Sequence, residues 1–188
     1  MAYLFLIEDV EMSGDGSTVI CFDMEMCCWH GSDKKLGEII SFGLCELDLA
    51  TGVIGREFHH YVQPDKDDVS EFCTSLTGIT PRMVDRQGKS LAAVMSMVAK
   101  RFGSRKPYVA WGDDANILNR ECGTKGIESP VIVSIDVGLL YKLRRRRAKN
   151  VGLAQALHAA GEEFEGQAHN ALVDAKNLAT LIVKANLL

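Results

Sequence analysis

The stretch Thr18-Val-Ile-Cys-Phe-Asp-Met-Glu-Met26 constrains the fold more than any other part of the chain. It is rich in β-formers and, from Val19 on, apolar except for Asp23 and Glu25, so it reads as a buried strand carrying two acids. Side chains alternate along a strand, which puts Asp23 and Glu25 on one face about 6.6 Å apart. Two like charges in an apolar strand repel each other and lose hydration, and a lone buried carboxylate would sooner take a proton. A divalent cation removes both difficulties, and hard cations prefer oxygen ligands. For the pair taken alone, a solvated strand end is the plainer alternative.

A third acid strengthens the cation reading. Ala171, Ala175, Leu178, Leu181, Ile182 and Ala185 recur at helical spacing, and Asp174 falls on the same stripe. A carboxylate on a core-facing stripe needs a partner, either a metal or a Lys or Arg. His169 stands five residues earlier, in a loop between Gly166-Gln167 and the helix-start signal Asn170. Its imidazole can accept a proton near neutral pH, as a general base for water must. A loop histidine alone would carry no weight. The fourth acid lies in Trp111-Gly112-Asp113-Asp114. Asp113 sits where an N-cap would, whereas Asp114 shares a helix face with Ile117 and Leu118. That favours Asp114 as the functional acid and Asp113 as the cap.

Around these residues the chain alternates. Residues 38–48 and 53–62 read as strands joined by a turn at Ala50-Thr51-Gly52, which completes an antiparallel meander with the first strand. Residues 70–76 read as a short helix with Ser70 as N-cap, and Pro81 takes a first helical position. Residues 91–102 form a helix capped by Ser90, residues 108–111 a strand, and residues 114–122 a helix with Gly123 as its C′ residue. A strand over 130–135 and helices over 151–160 and 171–187 follow. The expected fold is an α/β sandwich: a mixed five-stranded sheet, antiparallel meander then parallel strands, flanked by helices. Residues 1–17 read as an N-terminal arm or edge strand ahead of a single domain over 18–188.

The net charge of −4 excludes a broadly basic nucleic-acid binder but leaves room for one local patch. The dense run Lys142 to Lys149, KLRRRRAK, supplies it. Four consecutive arginines, Arg144, Arg145, Arg146 and Arg147, cannot share one helix face, so part of the run reads as loop. It is either a phosphate-binding strip or a solvated face. No apolar run approaches the roughly 18 residues of a membrane span. The first ten residues lack the basic start of a signal peptide. Six irregularly spaced cysteines read as reduced core thiols, which points to a cytoplasmic setting. Cys27, Cys28 and His30 have the wrong spacing for a tetrahedral zinc site.

Taken together, the motifs resemble the DEDD superfamily of 3′→5′ exonucleases in its histidine-bearing, DEDDh branch. Phe22-Asp23-Met24-Glu25, Trp111-Gly112-Asp113-Asp114 and His169-Asn170-Ala171-Leu172-Val173-Asp174-Ala175-Lys176-Asn177 carry the likeness across residues 19–182. Leu76-Thr77-Gly78-Ile79-Thr80 is similar to the signature with which these enzymes engage a 3′ end. The Asp-x-Glu-x-x-Cys-Trp stretch and the Trp-Gly motif are closest to the RNase T and histone-mRNA-exonuclease-like branch, which leans the substrate toward RNA. Cys27 departs from the threonine common in relatives, and the middle motif is one residue shorter.

The resemblance implies a ribonuclease H-like fold and two divalent cations, Mg2+ or Mn2+. Asp23 would bridge them, Glu25 and Asp174 would complete the first site, Asp114 would hold the second, and His169 would handle the attacking water. Single-stranded RNA ends, or alternatively DNA ends, would be hydrolysed to nucleoside 5′-monophosphates. Met26, Leu76, Thr77 and Ile79 would surround the terminal nucleotide, with Trp111 among the substrate contacts. Plain core packing is the alternative for Leu76 and Ile79. A non-catalytic nucleic-acid-binding homologue is the rival from another class. The resemblance leaves a homodimer open.

Overall fold

The computed structural model describes residues 17–31 and 37–188. The reading of residues 1–17 as an arm therefore lies almost wholly outside the described residues. Five strands, β1 (Thr18–Met26), β2 (Ile39–Asp48), β3 (Ile54–Tyr61), β4 (Tyr108–Ala110) and β5 (Ser134–Asp136), form one sheet in the order β3-β2-β1-β4-β5. β1, β2 and β3 pair antiparallel, while β4 lies parallel to both β1 and β5. The helices are α1 (Glu71–Thr77), α2 (Pro81–Gln87), α3 (Leu91–Phe102), α4 (Asp114–Thr124), α5 (Val137–Arg144), α6 (Leu153–Ala159) and α7 (Ala171–Ala185).

Alternation along β1 divides the core into two layers. Ile20, Phe22 and Met24 face α3 and α4, packing with Leu91, Val94, Val98 and Leu118. Val19 and Cys21 face the other way, against Val137 and Tyr141 of α5, Leu157 of α6 and Leu178 of α7. Asp23 and Glu25 continue the Val19-Cys21 row. The two acids therefore stand on the α7 side, near the edge where β1 and β4 both end.

The mixed sheet and most helix starts match the sequence reading. Ser70, Thr80, Ser90 and Asn170 each accept a bond from a first-turn backbone N–H, as N-caps do. Three elements differ. The fifth strand is only Ser134–Asp136. Pro130 has no N–H to give a ladder, and Ile132 N donates back to Pro130 O, so the chain turns before it pairs. Helix α4 runs past Gly123; Gly126, at φ 65°, takes the C′ position, and Ile127 N donates to Cys122 O across it. α5 was not expected. It spans just two turns, started by Asp136 accepting from Leu139 N, and it absorbs the beginning of the basic run.

Gly43 sets how close α7 can come. It pairs with Asp23 in the β1–β2 register, and a Cβ there would stand 2.2 Å from Leu172 N and 2.3 Å from the carbonyl carbon of Ala171. The first turn of α7 thus rests directly on the sheet backbone, one row from Asp23. Gly123 is the opposite case, a helical glycine with open space around it.

The two glycines give opposite expectations. Gly43→Ala should destabilise by about 3 kcal/mol, the upper end of overpacking costs, because backbone rather than a side-chain tip must move. In a chain of this size that lowers the melting midpoint by roughly 6–12 °C. Gly123→Ala should stabilise by about 0.5–1 kcal/mol. Thermal melting reads both, and a neutral Gly43→Ala would show that α7 does not depend on this contact.

Candidate active site

Three carboxylates meet where β1 ends beneath the first turn of α7. Asp23, Glu25 and Asp174 each bring an oxygen within 4.8 Å of the others. Glu25 is 8% exposed, while Asp23 and Asp174 are half-buried. No Lys or Arg among the described residues pairs with any of them. Burial pushes the Asp23 carboxyl well above its ordinary range, and the charges of Asp114, Glu25 and Asp174 push it further. Burial, then Asp174 and Asp114, raise Glu25 to about 8. Without a cation the cluster favours protons; with one, a set of hard oxygen donors is already assembled.

Asp114 does not join the mutual 4.8 Å set, yet its charge acts on Asp23 and Glu25. It opens α4 just beyond β4, half-buried and raised to about 7 by burial, then by Asp113, Asp136 and Asp174. Asp113 is exposed. It holds the N-cap position but caps no backbone N–H, and its Oδ1 accepts from the Asn116 side chain at 2.5 Å. The turn between them is fixed from behind, where Gly112 N donates to Asp136 Oδ1 at 3.1 Å.

Asp174 is oriented by its own helix start. Its Oδ2 accepts from Asn170 N at 2.9 Å, while Asn170 Oδ1 accepts from Val173 N at 3.2 Å, a reciprocal cap. Burial raises the Asp174 carboxyl; the Asn170 N–H and the nearby His169 oppose that rise. His169 is exposed and left-handed, at φ 63°. Its loop is tied down by Asn177, whose Nδ2 donates to Glu165 O and Val173 O while its Oδ1 accepts from Glu165 N. Asn177 closes the motif that begins at His169. Its signal is an amide on the buried side of α7, between Ala175 and Leu178.

Two cavities flank the carboxylates. One, of about 210 Å3, is lined by Glu25, Met26, Cys28, Leu76 and Thr77. Leu76 is exposed, and Phe72 beside it on α1 is exposed too, edge-on to His30 at 5.4 Å. The other, of about 180 Å3, is lined by Ser41, His59, Thr77, Ile79, Gln167 and His169. Thr77 stands between the two; its hydroxyl donates to Cys73 O and accepts from Ile79 N. Ile79 itself packs in the core with Cys27, Ile40 and Val84.

Ser41 and His59 escaped the sequence reading. Ser41 is buried, pairs with Glu25 in register and hydrogen-bonds His59 Nε2 at 2.9 Å. The lone polar residue in Ile39-Ile40-Ser41-Phe42 was the available clue.

Trp111 and the arginine run stand outside these two cavities. Trp111 turns into the α5–α6 layer, packs on Tyr141 and donates from Nε1 to Val151 O at 3.0 Å. Arg144 donates to Asn186 O at the C-terminal end of α7, the end away from Asp174. The arginine run therefore does not line the carboxylate cluster.

Comparison with known proteins agrees with this geometry. The exonuclease (RNase T) family model matches residues 20–182. ERI1 exoribonuclease 2 of Mus musculus is 36% identical over 194 residues, covering 88% of this chain but 28% of that protein. The 3′-5′ exonuclease Snipper of Drosophila melanogaster is 33% identical, covering 89% of this chain and 69% of its own length. The crystallographic structure of the nuclease domain of 3′hExo, described as a DEDDh family member bound to rAMP, superposes with a TM-score of 0.78 at 27% identity, covering 90% of this chain and 92% of that one. This chain spans about 28% of the length of the mouse relative. It belongs to the exonuclease (RNase T) family and carries the ribonuclease H-like fold of its DEDDh branch.

Proposed function

We propose that the chain is a metal-dependent 3′→5′ exonuclease that removes nucleoside 5′-monophosphates one at a time from single-stranded RNA. The observation that carries this reading is the set of Asp23, Glu25 and Asp174, assembled within 4.8 Å with no basic partner among the described residues. The relatives' names, ERI1 exoribonuclease 2 among them, support RNA over DNA. A cytoplasmic setting is supported by six free cysteines, five of them buried, and no helix among the described residues is long and apolar enough to cross a membrane.

Two divalent cations, Mg2+ or Mn2+, would supply Lewis-acid stabilisation of the attacking and leaving oxygens. Asp23, Glu25 and Asp174 would hold one of them, and Asp23 with Asp114 the other. Asp174 is suited to its place because the reciprocal cap with Asn170 fixes its carboxylate before any cation arrives. His169 accepts the proton of the attacking water at its imidazole. The cavity of Glu25, Met26, Leu76 and Thr77 holds the terminal sugar and base, with Leu76 as an apolar wall that binds without reading sequence.

Digestion of 5′-labelled single-stranded RNA in Mg2+, Mn2+ or EDTA tests the reading. A ladder shortening from the 3′ end should form with metal, vanish in EDTA and fall roughly a hundred- to a thousandfold in Asp23→Asn. A matched DNA oligomer should be cut more slowly. No cleavage of either polymer in any metal would leave a nucleic-acid-binding module with a relic site.

The raised carboxyls also set a pH dependence. Their folded-state values lie above their unfolded ones, so the folded chain binds more protons between the two and its stability falls as pH rises. The window runs from the ordinary carboxylate range to about 8, the value for Glu25. In EDTA the melting midpoint should drop across that window, and millimolar Mg2+ should remove most of the drop. A midpoint that ignores Mg2+ at the upper end would mean that the cluster is not a cation site.

A further inference from the structure

Among the described residues five cations pair with carboxylates: Arg56 and Lys106 with Glu46, Lys125 with Glu38, Lys176 with Glu57, and Lys184 with Glu162. The run over 142–149 is the densest group of cations without such a pair. Lys142, Arg144, Arg145, Arg146, Arg147 and Lys149 form no ion pair with a carboxylate among the described residues, and all but the half-buried Lys142 are exposed. In a chain of net charge −4 such a concentration is a local positive field with nothing of its own to neutralise. Some of these side chains are held rather than loose. Lys142 Nζ donates to Asn150 Oδ1 at 2.8 Å, Arg144 donates to Asn186 O, and the Arg145 guanidinium lies 5.8 Å from the centre of the Tyr141 ring.

The run is also connected to the carboxylate edge. α5 is capped at its start by Asp136, which fixes the Gly112 turn ahead of Asp114, and ends at Arg144 beside Asn186. Beyond it the chain returns to that edge, where Val151 O meets Trp111 Nε1. A cavity of about 390 Å3 lies between, lined by Trp111, Gly112, Leu139, Tyr141, Lys142 and Asn150. Its apolar wall suits a base that has left the stack. Asn186 is twelve residues beyond Asp174 in the chain, about 18 Å at 1.5 Å per residue along α7.

We propose that residues 142–149 are a track for the phosphate backbone of the same RNA strand, several nucleotides to the 5′ side of the end held at Asp23, Glu25 and Asp174. This rests on the exonuclease reading. A strand stacked at about 3.4 Å per nucleotide reaches the far end of the track in about five steps. The enzyme thus discriminates by length: a trinucleotide ends short of the arginines, whereas a longer RNA engages them.

The test compares kcat/KM for a trinucleotide and for an RNA of about fifteen nucleotides, in the unaltered protein and in Arg145→Glu/Arg146→Glu/Arg147→Glu. The ratio of long to short should fall at least tenfold, and the salt slope of long-RNA binding in EDTA should shrink by about two, at roughly 0.7 per phosphate contact on a single strand. Lys149→Glu alone should move both readouts the same way by a smaller factor, which keeps the test open if the triple variant melts early. A ratio and a salt slope that both stay put overturn the track. If the unaltered protein hydrolyses neither RNA, the exonuclease reading fails, while binding of the long RNA in EDTA still judges the track by the same comparison.

Discussion

The contact between the first turn of α7 and the backbone of β2 at Gly43 is the constraint on which the rest of the arrangement depends. A side chain at that position would hold the helix away from the sheet by the depth of a methyl group or more. Asp174 sits on this same turn, and Gly43 is the register partner of Asp23. Helix seating and assembly of the carboxylates are thus one event. The apolar stripe of α7, from Ala175 to Ile182, supplies the burial that drives the helix down, and the missing Cβ decides how far it goes.

Seating α7 there forces three acids together, which opposes folding unless the charge is compensated. The raised Asp23, Glu25 and Asp174 express that cost. Elsewhere the chain meets a similar problem with lysine: Glu38, Asp65 and Glu121 converge on Lys125. At the β1 edge no such partner stands among the described residues, and oxygen atoms are left facing one another. Stability given up at a site of this kind is commonly the mark of function.

Much of this was legible in the sequence because it rests on short-range rules. Two acids two apart in an apolar strand must share a face, and a side-chain cap at Ser70, Thr80, Ser90 or Asn170 announces a helix. What was hidden depends on distant partners. Two glycines stand near the end of α4, and only the bond from Ile127 to Cys122 across Gly126 shows which one ends it. The indole of Trp111 bonds Val151, forty residues on, a partner that its place in the motif does not announce. Ser41 and His59 come from adjacent strands, so neither signals the other along the chain. The two-turn α5 has too few residues for a period to register.

His169 is positioned by a different logic from the carboxylates. The acids ride on regular elements, whereas the histidine occupies a left-handed conformation that costs a non-glycine residue about 1–2 kcal/mol. Such a conformation persists only where its surroundings hold it. Here Asn177 fixes the chain at Glu165, and the cap at Asn170 fixes it again on the other side, leaving residues 166–169 as a short exposed span between two anchors. The proposed role of His169 as proton acceptor for water needs this compromise. The imidazole must reach the cluster closely enough for its charge to be felt by Asp174, and it must remain open to solvent to release the proton it takes. The buried amide of Asn177, three residues along α7 from Asp174, couples the two requirements: the helix that carries the carboxylate also holds the loop that carries His169.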